Sequence, residues 1–341
     1  MVTSAHHGSI GFDPLLFRQK RALVLGGAGF IGSHLVRRLV GYQAQVTVMD
    51  LFLPGSGANA FNLSQVTNDI RMVTGDGCNP QLLEGLLPGQ DFVFNLAGHT
   101  GHLASLIDPI SDNRQNAKTA LTVLEACRTL CPQAKIVYTS TRQVYGRPQY
   151  LPVDELHPIQ PVDYNGVSKL AAEYYHQVSQ RIYGLDTCIL RISNVYGPGM
   201  RIKDDQQNFI GWWFRRILDQ QPLLLFGNGQ QIRDLIYVDD LVSAILACSQ
   251  LPPSLDAVFN LGSGTPTTLL ALAEALITAS GAGTYELIPF PEERKKIDIG
   301  SYYSSIEKVA RQTGWRPQIH LDDGLKKTLD YFREFGQYYV D

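Results

Sequence analysis

The chain of 341 residues has 44% hydrophobic residues and carries 29 Lys and Arg against 32 Asp and Glu, a net charge of -3, which suits one large domain, or a large domain bearing a smaller one, around a sizeable core. Near-balanced charge without long runs of one sign argues against nucleic acid or a membrane surface as partner and for a small ligand. No apolar stretch reaches the roughly 18–20 residues of a membrane span, and the start lacks a charged-then-apolar leader, so the expected location is the cytoplasm.

Residues 1–19 mix polarities without a period and are expected to form a poorly ordered extension. From Arg21 the stretch RALVLGGAGFIGSHLVRRLV reads as a short apolar strand running through glycines into an amphipathic helix. Gly27, Gly29 and Gly32 fit GxGxxG, while Gly26, Gly29 and Gly32 fit GxxGxxG. The tight turn, the close approach to a pyrophosphate and the seating of the helix all need positions without side chains. Gly26, Gly29, Phe30, Ile31 and Gly32 are therefore the expected phosphate cradle, at a helix N-terminus with free N–H groups. The next strand, QVTVMD, ends in Asp50, whose carboxylate can accept bonds from both hydroxyls of an adenosine ribose and repels a 2′-phosphate. NAD is thus expected rather than NADP.

Strands IRMVTGD, DFVFNLAG and KIVYTSTRQVYG follow, reaching Asp76, Gly98 and the neighbourhood of Ser140, with helical stretches between them. That alternation predicts an α/β fold with a Rossmann-type, doubly wound parallel sheet. Ligands of such sheets lie beyond the carboxyl ends of the strands, where Asp50, Asp76, Ala97 and Thr141 fall. The five cysteines form no CxxC pair, and Cys127 and Cys131 sit one helical turn apart in TALTVLEACRTL. Buried thiols are expected, and no metal site.

Taken together, GGAGFIGSHL, NLAG, STRQVYG, RISNVYGPG and RDLIYVDD make residues 20–335 resemble the extended short-chain dehydrogenase/reductase family, whose members include nucleotide-sugar epimerases, dehydratases and decarboxylases. The resemblance implies a nucleotide-binding domain over 20–194, rejoined by 231–262, and a smaller sugar-nucleotide domain from 195–230 and 263–341. It also implies chemistry by a Ser or Thr with a Tyr and Lys spaced YxxxK, because an alcohol cannot give up hydride unless its proton leaves as well. Thr141 falls on the first position. Lys169 falls on the last, where the family's lysine holds the nicotinamide ribose and tunes the tyrosine.

The tyrosine position holds Asn165, an amide that does not titrate in the useful range. Tyr164 is one place early and, on a helix, turned away from Lys169. Three substitutes stand open. Tyr164 can lie just outside the helix and swing inward; Lys169 can act as base if burial lowers its pKa; or His99 or His102, in AGHTGHLAS, can serve from a loop lining the crevice. A protein that binds NAD or a sugar nucleotide without redox turnover is the remaining reading.

The 4,6-dehydratases that STRQVYG resembles carry an Asp-Glu pair after the Thr. Arg142 and Gln143 stand here instead, which speaks against dehydration; an epimerase needs no such pair. By resemblance, Asn194 and Arg233 contact the diphosphate or base, and Arg294 supplies a second fork for phosphate oxygens. A local ion pair between Arg233 and Asp234 is the plain alternative. His99 and Arg142 are further candidate substrate contacts. After Asp76 come Gly77 and Cys78, where the family packs an apolar residue on adenine. Trp212 and Trp213 point apart on a helix, and core packing is expected for the pair. The function expected is an NAD-dependent epimerase that oxidises a nucleotide-linked sugar transiently to a keto-sugar. A ketoreductase or decarboxylase is the other enzymatic option. The resemblance implies a homodimer, paired through TALTVLEACRTL and the helix over 164–183.

Overall fold

The computed structural model describes residues 11–53, 55–204 and 208–340. Residues 1–10 of the expected extension lie outside the described residues. The remainder of it is not loose: a 3-10 turn, Pro14–Phe17, is capped by the Asp13 side chain, and Phe17 is fully buried against Tyr42 and Phe92. Aromatic area is what ties this segment down.

The chain begins in earnest with β1 (Arg21–Leu25), α1 (Phe30–Gly41), β2 (Gln45–Asp50) and β3 (Ile70–Thr74). There follow α2 (Pro80–Glu84), β4 (Phe92–Asn95), α3 (His102–Ile107) and α4 (Pro109–Asn113). A π-helical turn, Arg114–Lys118, joins α4 without a break to α5 (Thr119–Leu130). β5 (Lys135–Thr141), α6 (Tyr164–Tyr183) and β6 (Thr187–Ile192) complete the first half.

Residue alternation explains the layers. In β1, Ala22 and Val24 enter one apolar cluster with Leu35 and Leu39 of α1, whereas Leu23 and Leu25 enter another with Val123, Leu124 and Cys127 of α5. A strand whose two faces are both covered reads as a continuous apolar run, the mark of a buried parallel sheet.

The second half contains β7 (Asn194–Tyr196), α7 (Phe209–Leu218), β8 (Leu223–Phe226), β9 (Ile232–Tyr237), α8 (Val238–Ser249) and β10 (Val258–Leu261). It ends with β11 (Pro266–Thr268), α9 (Leu269–Ser280), β12 (Tyr285–Ile288), α10 (Glu292–Lys296), α11 (Glu307–Thr313) and α12 (Leu321–Phe335).

The main sheet has seven parallel strands in the order β10-β6-β5-β4-β1-β2-β3. Chain direction across it reverses between β1 and β4, the switch point at which such sheets open a crevice. Of the segment 231–262, β10 joins this sheet beside β6 and α8 packs on α1. β9 does not: it pairs with β7 and β11 in a separate three-stranded sheet, because β7, starting at Asn194 just past the end of β6, offers it a parallel edge off the main sheet. β8 and β12 form a two-stranded parallel pair.

Among the described residues no helix is long and apolar enough to cross a membrane. The cysteines are free thiols, four of them buried. Trp213 is in the core, while Trp212 lies under Arg216.

Candidate active site

A cleft of about 350 Å³ opens at the switch point, lined among others by Gly26, Gly29, Phe30, Ile31, Gly32, Asp50, Asp76, Ala97, His99, Thr141, Arg142, Asn165, Lys169 and Asn194. The structure thus brings together most of the residues chosen from sequence. Arg233, Arg294 and Tyr164 are not among its lining residues.

At the near end the glycines are required by contact. Gly26 has φ +75°, and a Cβ there would stand 2.9 Å from the Ala97 nitrogen; a Cβ on Gly32 would fall 2.2 Å from the Gly26 carbonyl oxygen. Gly29 is the N-cap of α1 and brings no side chain to cap it, so the first-turn N–H groups are left for an anion. Gly32→Ala is expected to push the loop and helix apart and to lower NAD affinity at least about tenfold, read by calorimetric titration with NAD.

Asp50 ends β2, accepting the Ala28 N–H at 3.0 Å and the Phe52 N–H at 3.1 Å. Burial pushes its carboxyl up, against those bonds, and its remaining lone pairs face the cleft. The cradle and the carboxylate together fit a dinucleotide with a free ribose. Asp76, beyond β3, binds the Cys78 N–H and the exposed Arg114 guanidinium at 2.8 and 2.7 Å.

At the far end, Asp163 caps α6 by accepting the Gly166 N–H at 2.7 Å. Tyr164 is therefore already the first helical residue. It is 52% exposed, which removes the swing that would have carried its phenol inward. Asn165 is buried in the next position and donates to the His99 carbonyl at 2.7 Å and to Asp112 Oδ1 at 2.8 Å. Asn116, on the π-turn, donates to the same carbonyl and to the same carboxylate. Across from them, His99 Nδ1 lies 3.7 Å from Asp112 Oδ1. Burial raises Asp112, but His99, Asn165, Ser168 and Asn116 outweigh it and hold the carboxyl below the usual aspartate value.

Lys169 is buried, its Nζ 3.1 Å from the Thr139 carbonyl and 5.1 Å from the centre of the Tyr138 ring. Burial brings its pKa down to about 8, against the charges of Asp112 and Glu173. His102, the other loop histidine, has Nδ1 2.9 Å from Asp163 Oδ2 but out of line for a hydrogen bond. Thr141 Oγ1 accepts the Gln143 N–H at 3.2 Å, so its own proton remains available to a ligand.

Arg233 does not pair with its neighbour in sequence. It donates to the Gly300 carbonyl at 2.7 Å and lies 3.4 Å from Asp298, while Asp234 accepts from Ser263 and Ser304. Arg294 stacks over Phe226. Asn194 Oδ1 and Ser193 Oγ, both on the cleft, are buried without partners. Among the described residues no cluster of three or more His, Cys, Asp or Glu is placed to hold a metal.

Sequence reasoning missed Asp112, whose only signal is an acid within an otherwise helical DPISDN stretch. It also missed the buried network under the site. Ser140 donates to Glu173 Oε1; Arg191 pairs with Glu173 through Nε and Nη2, at 2.7 Å for the latter; and Arg191 also donates to Tyr145 Oη at 2.9 Å. The Tyr145 hydroxyl in turn donates to Asn260.

Residues 22–262 match the model of the NAD dependent epimerase/dehydratase family. The chain is 31% identical to a putative UDP-glucose 4-epimerase of Methanocaldococcus jannaschii, covering 91% of this chain and 98% of that protein. It is also 31% identical to a dTDP-glucose 4,6-dehydratase of an Actinoplanes strain, over 92% and 98%. Among solved structures, an epimerase of Methanothermobacter thermautotrophicus superposes with a TM-score of 0.88 at 28% identity, covering 95% of both chains. Other relatives bear the name UDP-glucuronic acid decarboxylase.

Proposed function

This chain belongs to the NAD-dependent epimerase/dehydratase family, and from that premise we propose that it is an epimerase of a nucleotide-linked sugar, acting through transient oxidation of a ring carbon to a ketone. NAD is its cofactor, held by the glycine cradle and Asp50; when bound, it takes a hydride from the sugar and gives it back. Nothing more is required of the cofactor than reversal at one carbon.

The observation that carries this reading is the turn after β5. Thr141 and Lys169 are kept on the cleft, whereas the following positions are Arg142 and Gln143, and the Gln143 amide is spent on Asp163 at 3.3 Å. Dehydration needs an acid and a base at that turn, and neither residue titrates usefully. Epimerisation needs one proton carrier. We assign that role to His99, with Asp112 facing Nδ1 to stabilise the imidazolium and Asn165 fixing both; it is the relay of carboxylate and imidazole that activates hydroxyl groups elsewhere. Thr141 donates to the reacting oxygen, and Lys169 holds the nicotinamide ribose.

The test is to mix the NAD-loaded protein with UDP-, dTDP-, GDP- and CDP-sugars, follow the near-ultraviolet absorbance of reduced nicotinamide, and identify products by NMR. An epimer supports the reading. Loss of carbon dioxide would make it a decarboxylase, consumption of added NADH a ketoreductase, and binding without product a non-catalytic binder.

We also propose a homodimer. Tyr164, Val167, Tyr174, Val178 and Ile182 are each at least 50% exposed along α6, at helical spacings that make one apolar stripe. Val178→Glu with Ile182→Glu is expected to shift the sedimentation mass from dimer to monomer; an unchanged dimer would remove α6 from the interface.

A further inference from the structure

Resting on the nucleotide-sugar reading above, we infer that the sugar itself is acidic: Arg142 pairs with a carboxylate on the ring, so that the substrate class is a nucleotide-linked uronic acid. Arg142 opens the 3-10 turn Arg142–Tyr145 at the end of β5, immediately after Thr141. The Thr141 side chain fixes the start of that turn, and Arg142 lines the cleft alongside Asn165 and Lys169. Its guanidinium lies over the ring of Tyr302, 5.1 Å from the centre, and that ring is fully buried. One face of the cation is thus covered, which leaves its N–H edges for in-plane bonds.

Among the described residues no carboxylate is within ion-pair distance of Arg142, and its buried Nη1 has no acceptor. The three carboxylates whose field reaches it are all engaged. Asp234 accepts from Ser263 N, Ser263 Oγ and Ser304 N. Asp298 serves Arg233, Gln231 and Gly300 N. Asp163 serves Gly166 N and Gln143 and faces His102. Arg233 adds a second positive charge nearby. A cation drawn partly out of water without a counter-charge is costly to the fold, and a ligand that brings the missing charge removes that cost. The position selects which part of the ligand this is. Arg142 directly follows Thr141, which donates to the reacting oxygen in the reading above, so the part of the ligand that reaches its guanidinium is a substituent of the sugar ring. A planar guanidinium with free edges is matched best by a planar carboxylate, through two parallel bonds.

The experiment is calorimetric titration of the NAD-loaded protein with paired ligands that differ only in the sugar's terminal group: glucose against glucuronate, each linked to UDP, dTDP, GDP and CDP. At least tenfold tighter binding of the acidic member is expected in the pair whose base fits. In Arg142→Gln that preference is expected to fall to within about twofold while the neutral member is held as before, and Arg142→Lys is expected to keep part of it. Equal affinities, a preference for the neutral sugar, no pair bound, or equal weakening of both members in Arg142→Gln, the sign of a diphosphate contact or a structural arginine, would each overturn the pairing. The two readings fail separately. A uronate bound tightly but returned unchanged keeps the pairing and removes the epimerase; epimerisation of a neutral sugar, with no preference for the acid, does the reverse.

Discussion

Lys169→Met is expected to lower kcat by about 10²–10⁴-fold while leaving the protein folded. Methionine fills a similar volume beside the Tyr138 ring and Thr139 but removes the ammonium that α6 places on the cleft beside Asn165. Circular dichroism and the melting transition should be unchanged, the NAD affinity reduced, and turnover of the cognate sugar nearly lost; a mutant with normal rates would refute any role for Lys169. The pH profile of the native protein separates two ways of using this residue. With its pKa drawn down to about 8, an ammonium that holds the ribose is lost as pH rises through that value, so the rate should fall on the alkaline side. A lysine acting as base would need the neutral amine, and the rate would rise there instead. A fall above about 8 is the pattern expected of an ammonium that holds the ribose and leaves the proton transfer to another group.

Glu173→Gln should have the largest effect on stability, about 3–5 kcal/mol. Glu173 and Arg191 are both buried and joined by three hydrogen bonds, and Arg191 leans on Tyr145 as well. Removing the negative charge leaves a guanidinium in the interior with only neutral acceptors, and that stranded charge, more than the lost bonds, sets the cost. Urea unfolding should show it as a lower midpoint without a change of slope. Glu173→Met combined with Arg191→Met should recover much of the loss, because it strands nothing. If the double variant is no better than the single one, the pair is worth its bonds and not merely its neutrality.

The fold was readable wherever the instruction is local. The run from Arg21 through Gly32 encodes strand, turn and helix within a dozen residues, since Gly26 and Gly32 are needed by contacts with their own loop and the adjacent strand. QVTVMD gives β2 with its ends in place, as alternation and a terminal acid mark both. The location of β9 was not readable, because strand identity does not say which edge is vacant. Tyr164 was legible only in part: its angular offset from Lys169 follows from helical geometry, but whether the helix had begun depended on the Asp163 cap. Asp112 is 53 positions from Asn165, and Arg142 is notable for what it does not touch. Partners distant in sequence, and missing partners most of all, leave no pattern along the chain.

The π-helical turn Arg114–Lys118 sets a constraint of a different kind. An α-helix advances about 100° per residue, and a π-turn accommodates one residue more than an α-turn. Asp112 and Asn116, before and within the wide turn, face the His99 loop, while Val123, Leu124 and Cys127 beyond it lie in the apolar cluster against the sheet. The two halves of this single rod are thus held in different phases. An ancestor or descendant that lost one residue here would keep its helix and its composition, yet would have to turn either the acid and amide away from the cleft or the apolar row away from the core. The geometry of this stretch constrains its length as well as its letters. An alignment that places a gap elsewhere to gain a few identities will pair residues that point in different directions.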